Sequence, residues 1–154
     1  MILEYTKNND NYNTVRQVVT GKFNISYNLL LKLKKNNKIL LNRTSTYLDK
    51  EIFNGDIITI NIDFEEDNSN IVPTKMDLSV LYEDEYLLII DKPAGIPVHP
   101  SIIHFEDSLS NGVKYYLDTI NLHKKIRPVN RLDRNTSGIV IFAKNEYIHD
   151  MLSK

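Results

Sequence analysis

Val15, Val18 and Val19 fall on one side of a short helical pattern, behind a hydroxyl at Thr14 and an amide at Gln17 that fit a capping box. Gly21 predicts where that helix ends. Leu29, Leu30 and Leu33 repeat the helical spacing in a segment capped by Ser26 and running to Lys35, and Asn36-Asn37 predicts a turn. Lys38 to Asn42 reads as a strand, and Asn54-Gly55-Asp56 as a tight turn into another, Ile57 to Ile62. The pattern then lapses. Asp63, Glu65, Glu66, Asp67, Asn68-Ser69-Asn70 and Pro73 predict a solvated acidic linker over 63–76, which separates a module at 1–62 from a second segment at 77–154.

The second segment opens with Val80-Leu81-Tyr82 and Tyr86 to Ile90 flanking Glu83-Asp84-Glu85, a hairpin pattern. Pro93, Gly95, Pro97 and Pro100 predict a stiff loop. From Ser108 a helix is predicted, with Leu109, Val113, Tyr116, Leu117 and Ile120 as its apolar stripe. Arg127-Pro128-Val129 reads as a short extended piece, and Thr136-Ser137-Gly138 as a turn into the buried strand Ile139 to Ala143. Asn145 can cap a last helix bearing Ile148, Met151 and Leu152. The predicted fold class is α+β: a small helix–strand module, then part of a mixed, mainly antiparallel sheet. The last helix reaches Lys154 without a Gly or Pro terminator, and the strands before it need partners, so the expectation is a catalytic domain cut short.

Composition narrows the class. The chain has 154 residues, 42% hydrophobic and 25% charged, which excludes global disorder. It has no cysteine, which excludes disulfides, thiol catalysis and thiolate metal sites. Met1-Ile2-Leu3-Glu4-Tyr5 carries no basic stretch, and no run approaches the ~20 apolar residues of a membrane span, so a cytoplasmic protein is expected. The net charge of −1 hides an asymmetry: residues 1–62 hold nine Lys and Arg against five Asp and Glu, and residues 63–154 hold ten against fifteen. A basic front module suggests an anionic partner. Lys32, Lys34, Lys35, Lys38 and Arg43 gather around the Asn36-Asn37 turn, as phosphate contacts or as an ordinary solvated face.

The densest chemistry lies in Asn130-Arg131-Leu132-Asp133-Arg134-Asn135-Thr136-Ser137-Gly138. A carboxylate between two arginines is favoured in its ionised form and suits a nucleophile or base; it also suits a structural ion pair that pins a loop. Weaker candidates are His99 and His104 as metal ligands, without carboxylates at ligand spacing; Lys92 as an amine or as a partner of Asp91; and Tyr115 and Tyr116 as stacking surfaces, with Tyr116 better placed for the core.

Residues 80–154 resemble the start of the catalytic domain of pseudouridine synthases of the large-ribosomal-subunit type, the RluA-like group. That family carries His-Arg-Leu-Asp-x-x-Thr-Ser-Gly before an apolar strand, matched here by residues 130–138. A second stretch, Ile89-Ile90-Asp91-Lys92-Pro93-Ala94-Gly95-Ile96-Pro97-Val98-His99, matches the family's strand and Asp/Glu-Lys-Pro-x-Gly pattern. The front module is similar to a small RNA-binding module first described in a ribosomal protein, the S4 domain, with Leu40-Leu41-Asn42-Arg43 and Gly55-Asp56-Ile57 at the corresponding places.

The resemblance implies isomerisation of uridine to pseudouridine in RNA, with large-subunit ribosomal RNA expected as substrate, Asp133 as the catalytic group, and no metal or organic cofactor. It implies that Arg131 fills the stack vacated by the uridine, with Arg134 in support, and that Lys32, Lys35, Lys38 and Arg43 bind RNA. Asn130 replaces the family's histidine, so this position cannot titrate near neutral pH. The tyrosine and basic residue that the family places downstream are not among these residues, so the 154-residue chain is expected to be inactive or very weak. A non-enzymatic RNA-binding protein working through the front module is the second reading.

Overall fold

Ile58, Ile60 and Ile62 are buried and alternate with half-buried Thr59 and Asn61, the period of a strand with one face on a core. That strand lies in the first of two compact units, Met1–Phe64, which is followed by Glu65–Lys154; the computed structural model describes all residues 1–154. In chain order the first unit holds β1 (Ile2–Thr6), α1 (Val15–Gln17) continued by a π-helical turn (Val18–Lys22), α2 (Tyr27–Lys35), β2 (Ile39–Leu41), β3 (Thr44–Ser45) and β4 (Ile57–Asn61). Its sheet has the order β1-β4-β2-β3 and is antiparallel throughout. Val15, Val18, Val19, Leu29, Leu30 and Leu33 are buried, as their spacing predicts. Thr14 Oγ1 accepts the Gln17 amide at 3.2 Å, and Gln17 Oε1 accepts from the Asn13 amide at 2.6 Å.

Two features of this unit depart from expectation. Gly21 does not end the helix but lies inside the π-helical turn, which closes with Phe23 N–H donating to the Val18 carbonyl at 3.1 Å. The N-terminal residues form β1, which pairs with β4 from Ile2 opposite Asn61 to Thr6 opposite Ile57.

The second unit contains β5 (Ser79–Glu83), β6 (Leu87–Lys92), α3 (Leu109–Thr119), β7 (Arg127–Pro128), β8 (Gly138–Ala143) and α4 (Glu146–Leu152). Its antiparallel sheet has the order β5-β6-β8-β7. Val80 opposes Ile90 and Tyr82 opposes Ile89, so Leu81 is the extra residue of a bulge on the edge strand. The core joins Leu88 and Ile90 of β6, Val140 and Phe142 of β8, Leu109, Val113 and Leu117 of α3, and Val98 from the preceding loop. Ser108 and Asn111 form a reciprocal capping box at the start of α3.

The acidic stretch expected to be a solvated linker is docked along this unit instead. Glu66 N–H donates to the His123 carbonyl at 2.9 Å, and Thr74 N–H to the Asn111 carbonyl at 3.1 Å. Both Arg127 guanidinium nitrogens donate to the two Glu66 carboxylate oxygens at 2.6 Å, with side chains only 10% and 8% exposed. Met76 lies over Gly112, where a Cβ would fall 2.4 Å from the Met76 sulfur; glycine lets the segment approach the helix. Of the charges that predicted solvation, Glu66 thus meets a partner 61 residues away in the chain, while Glu65 and Asp67 stay exposed.

Candidate active site

β6 ends at Lys92 and runs into the proline-rich loop; β8 begins at Gly138, directly after the Asn130–Ser137 loop. Lys92 pairs with Gly138 in the β6–β8 register, so the two loops leave the same end of adjacent strands. They are then tied together. Gly95 N–H donates to the Arg134 carbonyl at 2.8 Å, and Arg134 Nε donates back to the Gly95 carbonyl at 3.4 Å.

Behind this clamp sits Lys92, fully buried. Its ammonium donates to the carbonyls of Pro93 (2.9 Å), Ile96 (2.7 Å) and Arg134 (3.1 Å). Burial pushes its pKa below the usual lysine value. Lys92 does not pair with Asp91, the partner its sequence context suggested. Its three donors fasten the proline-rich loop to the loop that carries Asp133.

Asn130 fastens the other end of that loop. Its amide nitrogen donates to the Ile139 carbonyl at 2.8 Å, and its Oδ1 accepts from the Ile141 amide at 2.8 Å. The side chain thus extends the pairing beside β8, where Val129 N–H already donates to the Ile141 carbonyl at 2.7 Å. At the far end, Gly138 has φ +148 and its missing Cβ leaves room for Leu132, whose Cδ1 would stand 3.3 Å away. Thr136 N–H closes the loop onto the Asp133 carbonyl at 3.0 Å.

The outer surface of the two loops lines a cavity of about 420 Å³, bounded by Pro97, Val98, His99, Pro100, Ser101, Arg131, Leu132 and Asp133. That volume is in the range of small-ligand pockets. Asp133 and Arg131 are exposed, and the ion pairs expected between Asp133 and its flanking arginines are absent. Arg134 turns back to Gly95 instead. Asp133 is therefore presented to the cavity rather than consumed in a structural pair.

His99, read in the sequence as a weak metal-ligand candidate and as the last residue of the Lys-Pro-x-Gly stretch, lines the same cavity. Burial, and then the positive charge of Arg131, push its pKa below the usual histidine value. His104 lies 3.0 Å from both carboxylate oxygens of Asp107. Tyr116 packs against the core and donates its hydroxyl to Glu83. The signal that could have singled out Lys92 and His99 was the Lys-Pro and Pro-Val-His punctuation around Gly95, which fixes a loop at a strand end.

In the first unit, Lys32, Lys34 and Lys35 occupy the last turn of α2, where cations also complement the helix dipole. Lys38 follows the Asn36-Asn37 turn and is half-buried, while Lys34, Lys35 and Arg43 are exposed. Asn42 and Arg43, with φ +49 and +67, form the two-residue corner between β2 and β3. The Asn42 side chain donates to Asp56 at 3.0 Å and accepts from the Ile57 amide at 2.9 Å, which holds this corner and leaves Arg43 at its tip.

A presented carboxylate, a guanidinium and a low-pKa imidazole around one cavity at the end of an antiparallel sheet define a candidate catalytic domain of the α+β class. Residues 86–154, which contain all three groups, match the family model described as RNA pseudouridylate synthase. The chain is 38% identical over 106 residues to ribosomal large subunit pseudouridine synthase D of Borreliella burgdorferi, covering 64% of this chain and 32% of that protein. It is 34% identical over 117 residues to the RNA pseudouridine synthase YhcT of Bacillus subtilis, covering 76% and 38%. Against the synthase D of Pseudomonas aeruginosa the identity is 39% over 77 residues, covering 50% and 24%. The chain thus spans less than half the length of each of these relatives. None of its helices is long and apolar enough to cross a membrane.

Proposed function

We propose that the second unit isomerises uridine to pseudouridine in RNA, with large-subunit ribosomal RNA as the substrate class and Asp133 as the catalytic group. The observation that carries this reading is the unpaired Asp133 carboxylate beside Arg131 at one cavity, inside the residues that match the family. In the reaction the N1–C1′ bond of the nucleotide breaks and a C5–C1′ bond forms. The C5 hydrogen leaves as a proton and N1 gains one, so no oxidant, reductant or co-substrate enters. The uridine leaves its stack to reach the carboxylate, at a cost of roughly a few kcal/mol. Arg131, a planar cation at the same cavity, suits the vacated stack and the neighbouring phosphates.

Asn130 supports the reading despite replacing the family's histidine. Its two hydrogen bonds position the loop and need no titrating group. The first unit, read as an S4-like module, would hold RNA through Lys32, Lys35, Lys38 and Arg43. This reading goes with a cytoplasmic protein.

The test is a single-turnover assay with excess protein, following tritium release from 5-tritiated uridine in ribosomal RNA fragments. Slow release by the 154-residue chain and none by Asp133→Asn is expected. Equal release by both removes Asp133 from its role. No release by either, with RNA binding retained, is the outcome that both an incomplete catalytic domain and the non-enzymatic RNA-binding reading give.

A further inference from the structure

The cavity wall does not end at Ser101. The chain continues into a loop whose apolar side chains are left in water: Ile102 is 101% exposed, Ile103 86% and Phe105 56%. A single exposed isoleucine needs no account. Three large apolar residues within four positions, next to a candidate active site, do.

The loop is fixed rather than loose. Ser101 N–H donates to the His104 carbonyl at 3.2 Å, and His104 N–H to the Ser101 hydroxyl at 3.1 Å, which closes the chain around the two isoleucines. His104 is engaged by Asp107 at 3.0 Å. The Phe105 and Glu106 carbonyls accept from the Asn111 amide group at 3.0 Å and the Thr74 hydroxyl at 2.6 Å. Polar groups hold the base of the loop while its tip is presented outward.

The chemistry of the tip selects its partner. Its one basic side chain, His104, is already engaged by Asp107, so the tip is not built for phosphate. Apolar side chains beside a site that draws a nucleotide out of its stack suit the faces of the bases left behind. We propose that Ile102, Ile103 and Phe105 form an apolar wedge that seats against unstacked bases flanking the target nucleotide. This rests on the RNA reading above and adds to it a contact that reads no sequence. Arg131 meets the RNA from inside the cavity; the wedge meets it from the rim.

The experiment uses the whole 154-residue chain and a short stem–loop RNA carrying 2-aminopurine beside a loop uridine. The wild type is expected to bind with salt-dependent affinity and to raise the 2-aminopurine fluorescence as the base unstacks. Ile102→Ser/Ile103→Ser is expected to weaken binding roughly tenfold, from the apolar burial lost, with an unchanged salt slope and a smaller fluorescence rise. The exposed positions leave the fold intact, checked by circular dichroism. Unchanged affinity and fluorescence in the double variant overturn the wedge and leave the RNA reading standing. A wild type that does not bind RNA sinks that reading and the wedge together. A wild-type dimer that becomes monomeric in the double variant assigns the tip to a second copy of the chain and overturns the proposal.

Discussion

The basic corner of the first unit and the cavity loops of the second both present charge to solvent, but they are held in different ways. In the first, Lys34, Lys35 and Arg43 stand exposed on a short helix and a hairpin corner over an aliphatic core. Lys7 is the buried cation there, its ammonium tied to Asp10 and the Tyr12 carbonyl. In the second, Lys92 and Asn130 hold the loop that presents Asp133, and the pairs Glu66–Arg127 and Glu83–Lys144 brace the domain around it. On the proposed function, the contrast follows from what each surface would do. Attraction to phosphate falls off slowly with distance and tolerates movement. Bond exchange at a nucleotide requires a carboxylate held to a fraction of an ångström, which calls for backbone-directed polar groups.

The largest expected effect breaks that bracing. Arg127→Ala leaves the Glu66 carboxylate buried without its partner and should cost the second unit about 3–5 kcal/mol. Urea denaturation followed by residue-resolved amide exchange measures it: Leu88 and Val140 should lose protection while Ile58 and Ile60 keep theirs. Equal loss in both units would mean that the Glu66–Arg127 pair does not act on the second unit alone. The pH dependence has a defined sign. Burial raises the pKa of Glu66, but the hydrogen bonds and charge of Arg127 outweigh it, so the folded value lies below that of the unfolded chain. The stabilisation is complete above the unfolded glutamate value of about 4.3 and is lost as pH falls through the folded value. Glu66→Gln should make the acid limb of the second unit's stability profile shallower.

Next in size is Lys92→Met. It leaves the Pro93, Ile96 and Arg134 carbonyls without their donor, at about 1–3 kcal/mol. Desolvation of the ammonium is relieved at the same time, which keeps the net loss below that of Arg127→Ala. The diagnostic is local: the Gly95 amide, donating to Arg134, should exchange faster while amides in α3 hardly change. An unaltered Gly95 amide would mean that the clamp stands without Lys92.

Much of this frame could be read from the chain. Leu29, Leu30 and Leu33, the caps at Ser26, Ser108 and Asn145, and the strand after Gly138 follow local rules that the structure obeys. What escaped were features decided by distant partners. β1 is five residues whose partner β4 lies some fifty residues on, and nothing local announces it. The acidic stretch reads as solvated because its composition is polar, yet Glu66 finds Arg127 and Met76 finds Gly112. The run Arg131-Leu132-Asp133-Arg134 reads as an ion-paired cluster because neighbours in sequence are assumed to be neighbours in space. The loop instead turns Arg134 back to Gly95 and leaves Asp133 facing the cavity.

The smallest expected effect on stability belongs to the basic corner, and it tests the other side of the contrast. Replacing Lys32, Lys35 and Arg43 together with glutamate should shift unfolding free energy by no more than a few tenths of a kcal/mol beyond the loss of favourable helix-dipole interactions at Lys32 and Lys35. RNA affinity should nonetheless fall strongly, and the slope of log affinity against log salt should shrink by about three, one for each phosphate contact removed. A slope that stays at its wild-type value would move the RNA-binding surface away from this corner. If stability collapsed instead, the lysines would be part of the frame, and the division between a loosely presented charge surface and a braced cavity loop would not hold.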